Sequence, residues 1–182
     1  VVNLVPNAEA AAWLQKNIPR FTCPDAAVEE IYYFRWWALR KHLRRAPDGS
    51  HVFTEFINRA DPVSSALGHH LMKGLWLHDA SLHDDYVRWW LRRNGGRPHA
   101  RLHAYSQWLA DALVQRARVT GDWTFALSLL DDLISDYRQW EAEKQVTAAS
   151  GGPAALAGMF WQFDVRDAME ESISGSRTKK HI

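Results

Sequence analysis

The sequence contains only one cysteine, Cys23. An internal disulfide needs two cysteines and a thiolate metal site needs several, so this chain alone can build neither. Cys23 stands beside Pro24 at the expected start of a helix, which suits a small packing residue. The compartment stays unknown, because proteins without disulfides occur both in the cytoplasm and outside the cell.

The chain also lacks a long apolar run and an excess of either charge. No segment approaches the roughly 18 to 20 apolar residues of a membrane-spanning helix, and the first residues do not resemble a signal peptide. The 22 lysine and arginine residues nearly balance 21 aspartate and glutamate residues. Such a balance gives no electrostatic attraction to nucleic acid or to an anionic membrane. We expect a soluble protein that binds neither.

Tryptophan, by contrast, is abundant: the chain has ten, beside five tyrosines and seven phenylalanines. Tryptophan fills cores and also stacks on flat or sugar-like surfaces. Apolar residues recur at helical spacing in about six segments, and one short segment near residues 51–57 looks extended. The predicted fold class is all-α, with residues 1–9 and 177–182 as irregular ends.

Four helices are marked by start signals, apolar stripes and stops. The first has a Thr22 and Asp25 start and should run to about Arg45 as an inner helix. The others are expected from Ser81 to about Asn94, from about His99 to Val119, and along a stripe from Phe125 to Trp140. Helices of similar length joined by short turns form antiparallel hairpins, which indicates a solenoid or an α/α barrel.

The densest polar cluster runs from Asp164 to Ser172, directly after the aromatic Trp161 and Phe163. Cleavage of a glycosidic bond needs a protonated carboxyl group, and apolar surroundings raise the pKa of a carboxyl group toward that role. Glu170 fits this description if it faces inward. The same acids also suit the first turn of a helix, where the dipole favours negative charge. Spacing alone leaves both interpretations open.

Other residues suit contacts with a sugar. Arg35 can bridge neighbouring hydroxyls and Trp36 can stack on a pyranose ring, although both can instead belong to an inner-barrel core. Glu55, in an apolar extended stretch, is either a hydroxyl acceptor or an ordinary loop acid. One of the adjacent histidines 69 and 70 can touch substrate, and we select His70.

The histidines do not indicate a metal centre. His69 and His70 would point about 100° apart on a helix. His99 and His103 have the spacing of a zinc motif but lack its glutamate, so we expect solvent-exposed side chains there. The basic run 40–45 is expected to end a helix, where cations suit the dipole. We predict no metal and no cofactor.

Several short runs occur in an order that resembles a known family. They are Tyr32 to Trp37, Thr54 to Phe56, Gly68 to His70, Trp76 to Asp79, Asp84 to Tyr86, Trp108 to Asp111, Val119 to Asp122, Phe160 to Gln162 and Asp167 to Gly175. Together they resemble the mannosylglycerate-hydrolase-like members of the six-hairpin glycosidases, relatives of trehalase and the processing α-glucosidases. The resemblance covers roughly residues 10–176.

This resemblance implies a partial (α/α)6 barrel, of which the chain supplies about half. It implies an inverting glycoside hydrolase, with Glu170 as the proton donor and Trp161, Gln162 and Asp167 near the sugar. Ala168 stands where the family pattern has glycine, which puts the position of the donor in question if that residue needs a positive φ. The companion base lies later in such enzymes, so we expect the isolated chain to be inactive. Because half a barrel leaves its seam open, we also expect the chain to self-associate through that seam.

Two other functions remain alternatives. A non-catalytic helical-repeat module would line a concave face with aromatic residues and would need no buried carboxyl group. An α/α-barrel polysaccharide lyase would use a tyrosine or histidine as its base, and Tyr32 or His70 could serve.

Overall fold

A computed structural model describes residues 4–59, 61–149, 153–163, 166 and 180–181. Its α-helices, in chain order, are α1 (Ala10–Asn17), α2 (Ala26–His42), α3 (Leu67–Lys73), α4 (Ser81–Arg92), α5 (Leu109–Thr120), α6 (Thr124–Ser128) and α7 (Leu130–Lys144). Two short antiparallel pairs join β1 (Leu43–Arg45) to β2 (His51–Phe53) and β3 (Gln162–Phe163) to β4 (Lys180–His181). The predicted all-α class is confirmed.

Helix α2 is shorter at both ends than the predicted Thr22 to Arg45, because Asp25 and not Thr22 is its N-cap. The Asp25 side chain accepts hydrogen bonds from the backbone N–H groups of Ala27 at 2.9 Å and Val28 at 3.4 Å, as an N-cap does. Residues 43–45, expected to be helical, instead pair with residues 51–53 across a tight turn. Gly49 has φ of 90° in that turn, a conformation that glycine adopts without strain.

The basic run at the end of α2 is partly buried, which differs from a purely solvated helix end. Arg40 donates through Nη1 to the backbone oxygen of Val5 and through Nη2 to Asn7 Oδ1 at 2.8 Å. Arg44 donates through Nη2 to the backbone oxygen of Ile57 at 2.9 Å. These two guanidinium groups therefore hold separate segments of the chain against the end of α2.

Helix α5 begins about ten residues later than predicted. Between the expected start near His99 and Leu109 there is only a 3-10 turn, Leu102–Ala104. The His103 side chain is only 8% exposed because it contacts Asp136 of α7, so the expectation of a solvent-exposed histidine was wrong here. The helix ends as predicted at Gly121, which has φ of 72°.

The core lies where α3, α4 and α5 meet the β1–β2 hairpin. Helix α4 contributes Tyr86 and Trp90, and the ring of Phe53 on β2 packs against Tyr86 at 5.5 Å between centroids. Leu67 on α3 and Leu113 on α5 are also fully buried. Burial of apolar surface of this kind provides most of the favourable free energy of folding.

Two glycines allow α3 to approach its neighbours closely. A Cβ built on Gly68 would lie 2.5 Å from the indole of Trp108, and one on Gly74 would lie 2.1 Å from His83 Cε1. Both distances are far below van der Waals contact. The absence of a side chain at these positions is therefore required for the observed packing.

Replacement of Gly74 by alanine should destabilise the fold by about 1–3 kcal/mol, because the new methyl group overlaps the buried His83 ring. The midpoint of urea unfolding measures this change. In a His83→Ala background the overlap is gone, so the same Gly74→Ala substitution should cost much less. An equal cost in both backgrounds would contradict this explanation.

Large apolar side chains are exposed on two separate helical faces. On α2 they are Val28, Ile31 and Phe34, and on α6 and α7 they are Leu127, Leu130, Ile134 and Tyr137. Several hundred Å² of wet apolar surface costs several kcal/mol at about 25 cal/mol per Å², which approaches the whole net stability of a domain. The 182-residue chain is therefore expected to be marginally stable by itself.

In isolation, this chain should aggregate, self-associate or bind a hydrophobic dye through these faces. Light scattering after size-exclusion chromatography and the emission of an added dye measure both effects. A monodisperse monomer that melts cooperatively and leaves the dye unbound is the result that excludes this expectation.

Candidate active site

A cleft of about 480 Å³ opens between α2 and α3. Arg35 of α2, Glu55 just after β2 and His70 of α3 all line it, together with Phe34, Ala38, Leu39, His42, Ser65, Ala66, His69 and Lys73. Arg35 and Glu55 are exposed, whereas His70 is 6% exposed. Three of the residues selected from the sequence thus line one cleft.

Two basic residues of this cleft, His42 and Lys73, were not predicted from the sequence. His42 follows Arg35 by seven residues on α2, and Lys73 follows His70 by three residues on α3. Both spacings place side chains on the same face of a helix. Helical periodicity applied to Arg35 and His70 would therefore have found them.

His70 is a neutral, fixed polar group at the back of the cleft. Its Nδ1 atom lies 3.2 Å from the hydroxyl of the buried Tyr86. Burial, with smaller contributions from His42 and Lys73, lowers the pKa of His70 to about 3. A neutral imidazole can donate from one ring nitrogen and accept at the other, which suits a contact with a sugar hydroxyl.

Trp36 lies beside this cleft rather than in it. It lines a smaller cavity of about 190 Å³, shared with Tyr32, Arg35, Leu39 and Lys73. The side chain is 6% exposed, and its ring packs edge-on against Tyr32 at 6.2 Å. The larger part of Trp36 is therefore core.

Trp161 and Gln162, selected near the end of the chain, do not line the cleft. Trp161 packs edge-on against Phe163 at 5.3 Å, and the Lys144 ammonium lies 4.3 Å from its ring centre. Gln162 is buried, and its Oε1 accepts a hydrogen bond from the N–H of Phe163 at 3.0 Å. Asp167 and Glu170 lie outside the described residues.

A second cavity of about 310 Å³ lies between α5 and α7. Four of its ten lining residues are aromatic, namely Trp108, Tyr137, Trp140 and Phe160, and the others are Ser106, Gln107, Leu109, Ala110, Leu133 and Asp136. Trp108 also contacts His69, a residue of the first cleft, edge-on at 5.1 Å. The two cavities therefore adjoin across one indole ring.

A buried ion pair lies at the wall of this second cavity. His103 Nε2 lies 2.8 Å from Asp136 Oδ1, and its Nδ1 lies 3.0 Å from Glu143 Oε2. Burial lowers the pKa of His103, but the hydrogen bonds to Asp136 and Glu143 outweigh this effect and raise the pKa overall. The imidazole ring also packs on Trp140 at 4.6 Å. No local pattern in the sequence indicates this pair, because His103 and Asp136 come from separate segments.

The described residues contain no group of three or more histidine, cysteine, aspartate or glutamate side chains arranged to hold a metal ion. A membrane crossing would also need a longer and more apolar helix than any found in the described part of the chain.

Comparison with known proteins identifies the class as glycoside hydrolase. Residues 60–182 match the model of the mannosylglycerate hydrolase MGH1-like glycoside hydrolase domain. The match extends over more than half of the chain, and the chain belongs to this family. No curated protein matches the sequence.

Nearly the whole of this chain is similar to part of a solved structure described as a sialidase. The two share 39% sequence identity with a TM-score of 0.87, over 99% of this chain. The match covers 16% of the sialidase chain, so the present chain spans about one sixth of that protein.

The buried histidines should make the fold sensitive to acid. Burial lowers the pKa of both His70 and His83 to about 3, whereas an unfolded histidine has a pKa of about 6.5. Below pH 6.5 the unfolded state therefore binds more protons, and the free energy of unfolding should fall as the pH decreases from 6.5 toward 3.

Urea unfolding at a series of pH values measures this slope. His83→Gln should reduce it by about one proton, or about 1.4 kcal/mol per pH unit. His78 is exposed, so His78→Gln should leave the slope unchanged. Equal slopes in the wild-type and His83→Gln proteins would show that His83 does not carry the effect.

Proposed function

We propose that this chain forms part of the catalytic domain of an inverting glycoside hydrolase, with Glu170 as its proton donor. The observation that carries the proposal is the common cleft lined by Arg35, Glu55 and His70, residues from three separate segments. Family membership supports a carbohydrate substrate. In this proposal the helices supply part of an (α/α)6 barrel, and the exposed Val28 and Ile31 of α2 lie at a seam that further helices of the barrel cover.

The polar groups of the cleft suit recognition of a sugar. The guanidinium of Arg35 offers several donors and the Glu55 carboxylate offers acceptors, whereas neutral His70 has only Nε2 left for a ligand because its Nδ1 contacts the Tyr86 hydroxyl. Glu55 is the single acidic residue among the described lining residues, and Arg35 and Lys73 bring two cations. Such a site fits a glycoside that carries hydroxyl groups and an acidic substituent. We assign Trp36, Trp161, Gln162 and Asp167 to supporting positions around the sugar.

Arg166, four residues before the proposed proton donor, is held beside the second cavity. The N–H of Ser106, which lines the second cavity, donates to the backbone oxygen of Arg166 at 3.1 Å. Glu170 follows Arg166 by four residues, a length of chain that spans at most roughly 14 Å. Inversion requires a second carboxyl group roughly 6.5–9.5 Å from the first, with room for water. We assign that base to a part of the enzyme beyond these residues.

The two alternatives to this function have weaker support. A helical-repeat binding module does not account for membership of a glycoside hydrolase family. A lyase would need a base that removes a proton from the sugar. The low pKa of His70 makes it a poor base, and the Tyr32 hydroxyl already donates to the backbone oxygen of Pro19 at 2.7 Å.

In the full-length protein, Glu170→Gln should lower kcat by roughly 10² to 10⁴, because glutamine keeps the shape of the side chain but cannot donate a proton. Release of reducing sugar from a glycoside substrate measures the rate. Glu171→Gln is the matched control, and its effect should be mild. Near-normal turnover of the Glu170 variant would refute the assignment, and an equal loss in the control would mean that the donor has been placed one residue too early.

A further inference from the structure

We propose that the cavity between α5 and α7 is a second sugar-binding subsite, which takes a pyranose ring adjoining the one in the first cleft. The inference rests on the proposed function for the first cleft but concerns a separate set of residues. Four aromatic walls and one fixed carboxylate, Asp136, define this subsite.

The shape and lining of the cavity suit a single sugar unit. Its volume of about 310 Å³ lies at the small end of ligand pockets, which span roughly 300–1,000 Å³. The C–H face of a pyranose packs on aromatic rings, and Trp108, Tyr137, Trp140 and Phe160 provide them from three parts of the chain. Tyr137 is 54% exposed, so its ring is accessible from solvent.

Asp136 distinguishes this cavity from a purely apolar groove. The residue is 6% exposed, and His103 holds its Oδ1 atom at 2.8 Å. Its Oδ2 atom has only a 3.5 Å contact with Gln107 Nε2 among the described residues, which is too long for a strong hydrogen bond. An apolar protein segment placed over the cavity would leave this oxygen buried without a good donor, at a cost of free energy. A sugar hydroxyl would supply the donor.

The cavity is also in the right place for a neighbouring sugar unit. Trp108 forms one of its walls and contacts His69 of the first cleft at 5.1 Å. Gly68 makes that contact possible, because any side chain there would overlap the Trp108 indole. Ser106 binds the backbone of Arg166, four residues before the proposed proton donor, at the wall of the same cavity.

The chain offers a matched pair of variants on one helix face. Tyr137 and Ile134 lie three residues apart on α7, and both are exposed, at 54% and 42%. Tyr137 lines the cavity, whereas Ile134 is absent from its walls. Removal of either side chain should leave the fold intact, which the unfolding midpoint can check.

Direct binding is measured in the full-length protein by saturation-transfer-difference NMR with the methyl α-pyranosides of mannose, glucose and galactose. At least one of them should bind, and Tyr137→Ala should weaken that binding roughly three- to ten-fold, as loss of one stacked ring would. Ile134→Ala should leave it within two-fold. Asp136→Asn, which keeps the shape of the side chain, should also weaken it.

Kinetics separate this inference from the proposed function. For a substrate long enough to reach both cavities, Tyr137→Ala should raise KM with kcat unchanged, and for the shortest hydrolysed substrate it should change neither constant. Activity that is insensitive to Tyr137 with every substrate, with no Tyr137-dependent binding, overturns the subsite and leaves the proposed function standing. Sugar binding that depends on Tyr137 in a protein without hydrolytic activity would support the subsite and overturn the proposed function.

The competing occupant is another segment of the protein itself. In that case Tyr137→Ala and Ile134→Ala should lower the melting temperature of the full-length protein by similar amounts, and neither should affect sugar binding. This result also overturns the subsite.

Discussion

The contact between Gly68 and Trp108 sets the distance between α3 and α5, and both cavities depend on that distance. His69 and His70 follow directly on α3, so their positions in the first cleft are fixed by how closely this helix approaches the indole. The same ring also lines the second cavity. Because packed interiors tolerate little change in volume, a single glycine couples the geometry of the two sites.

A second constraint is the cost of burying histidine. His70 and His83 lie in the core near Phe53, and burial keeps both neutral. His103 meets the opposite environment, because two carboxylates surround it and favour its charged form. The chain therefore places a neutral histidine at the first cleft and, at the second cavity, a histidine whose pKa is raised by its carboxylate partners.

Local signals predicted the parts of the fold that are locally determined. The Gly121 stop and the approximate start of α2 were found because each signal acts on its own helix end, although the N-cap is Asp25 rather than Thr22. The late start of α5 was missed because apolar residues at helical spacing continue upstream through Leu102 and Tyr105, although the chain there forms only a 3-10 turn. From this turn His103 reaches Asp136, 33 residues away. For the first cleft, side-chain chemistry identified Arg35, Glu55 and His70. His42 and Lys73 were not predicted, because helical spacing was not applied to Arg35 and His70. The second cavity has walls from distant segments, so no stretch of sequence marks it.

Arg40, buried near the end of α2, has a practical consequence for the choice of domain boundaries. Arg40 donates to Val5 and Asn7, which precede the first helix and would be natural candidates for removal in a shortened version of the protein. Their removal would leave a guanidinium group in the interior without its acceptors, and an unpaired buried charge is strongly unfavourable. The segment 5–7 is thus an integral part of the domain, although it contains only the beginning of one 3-10 turn.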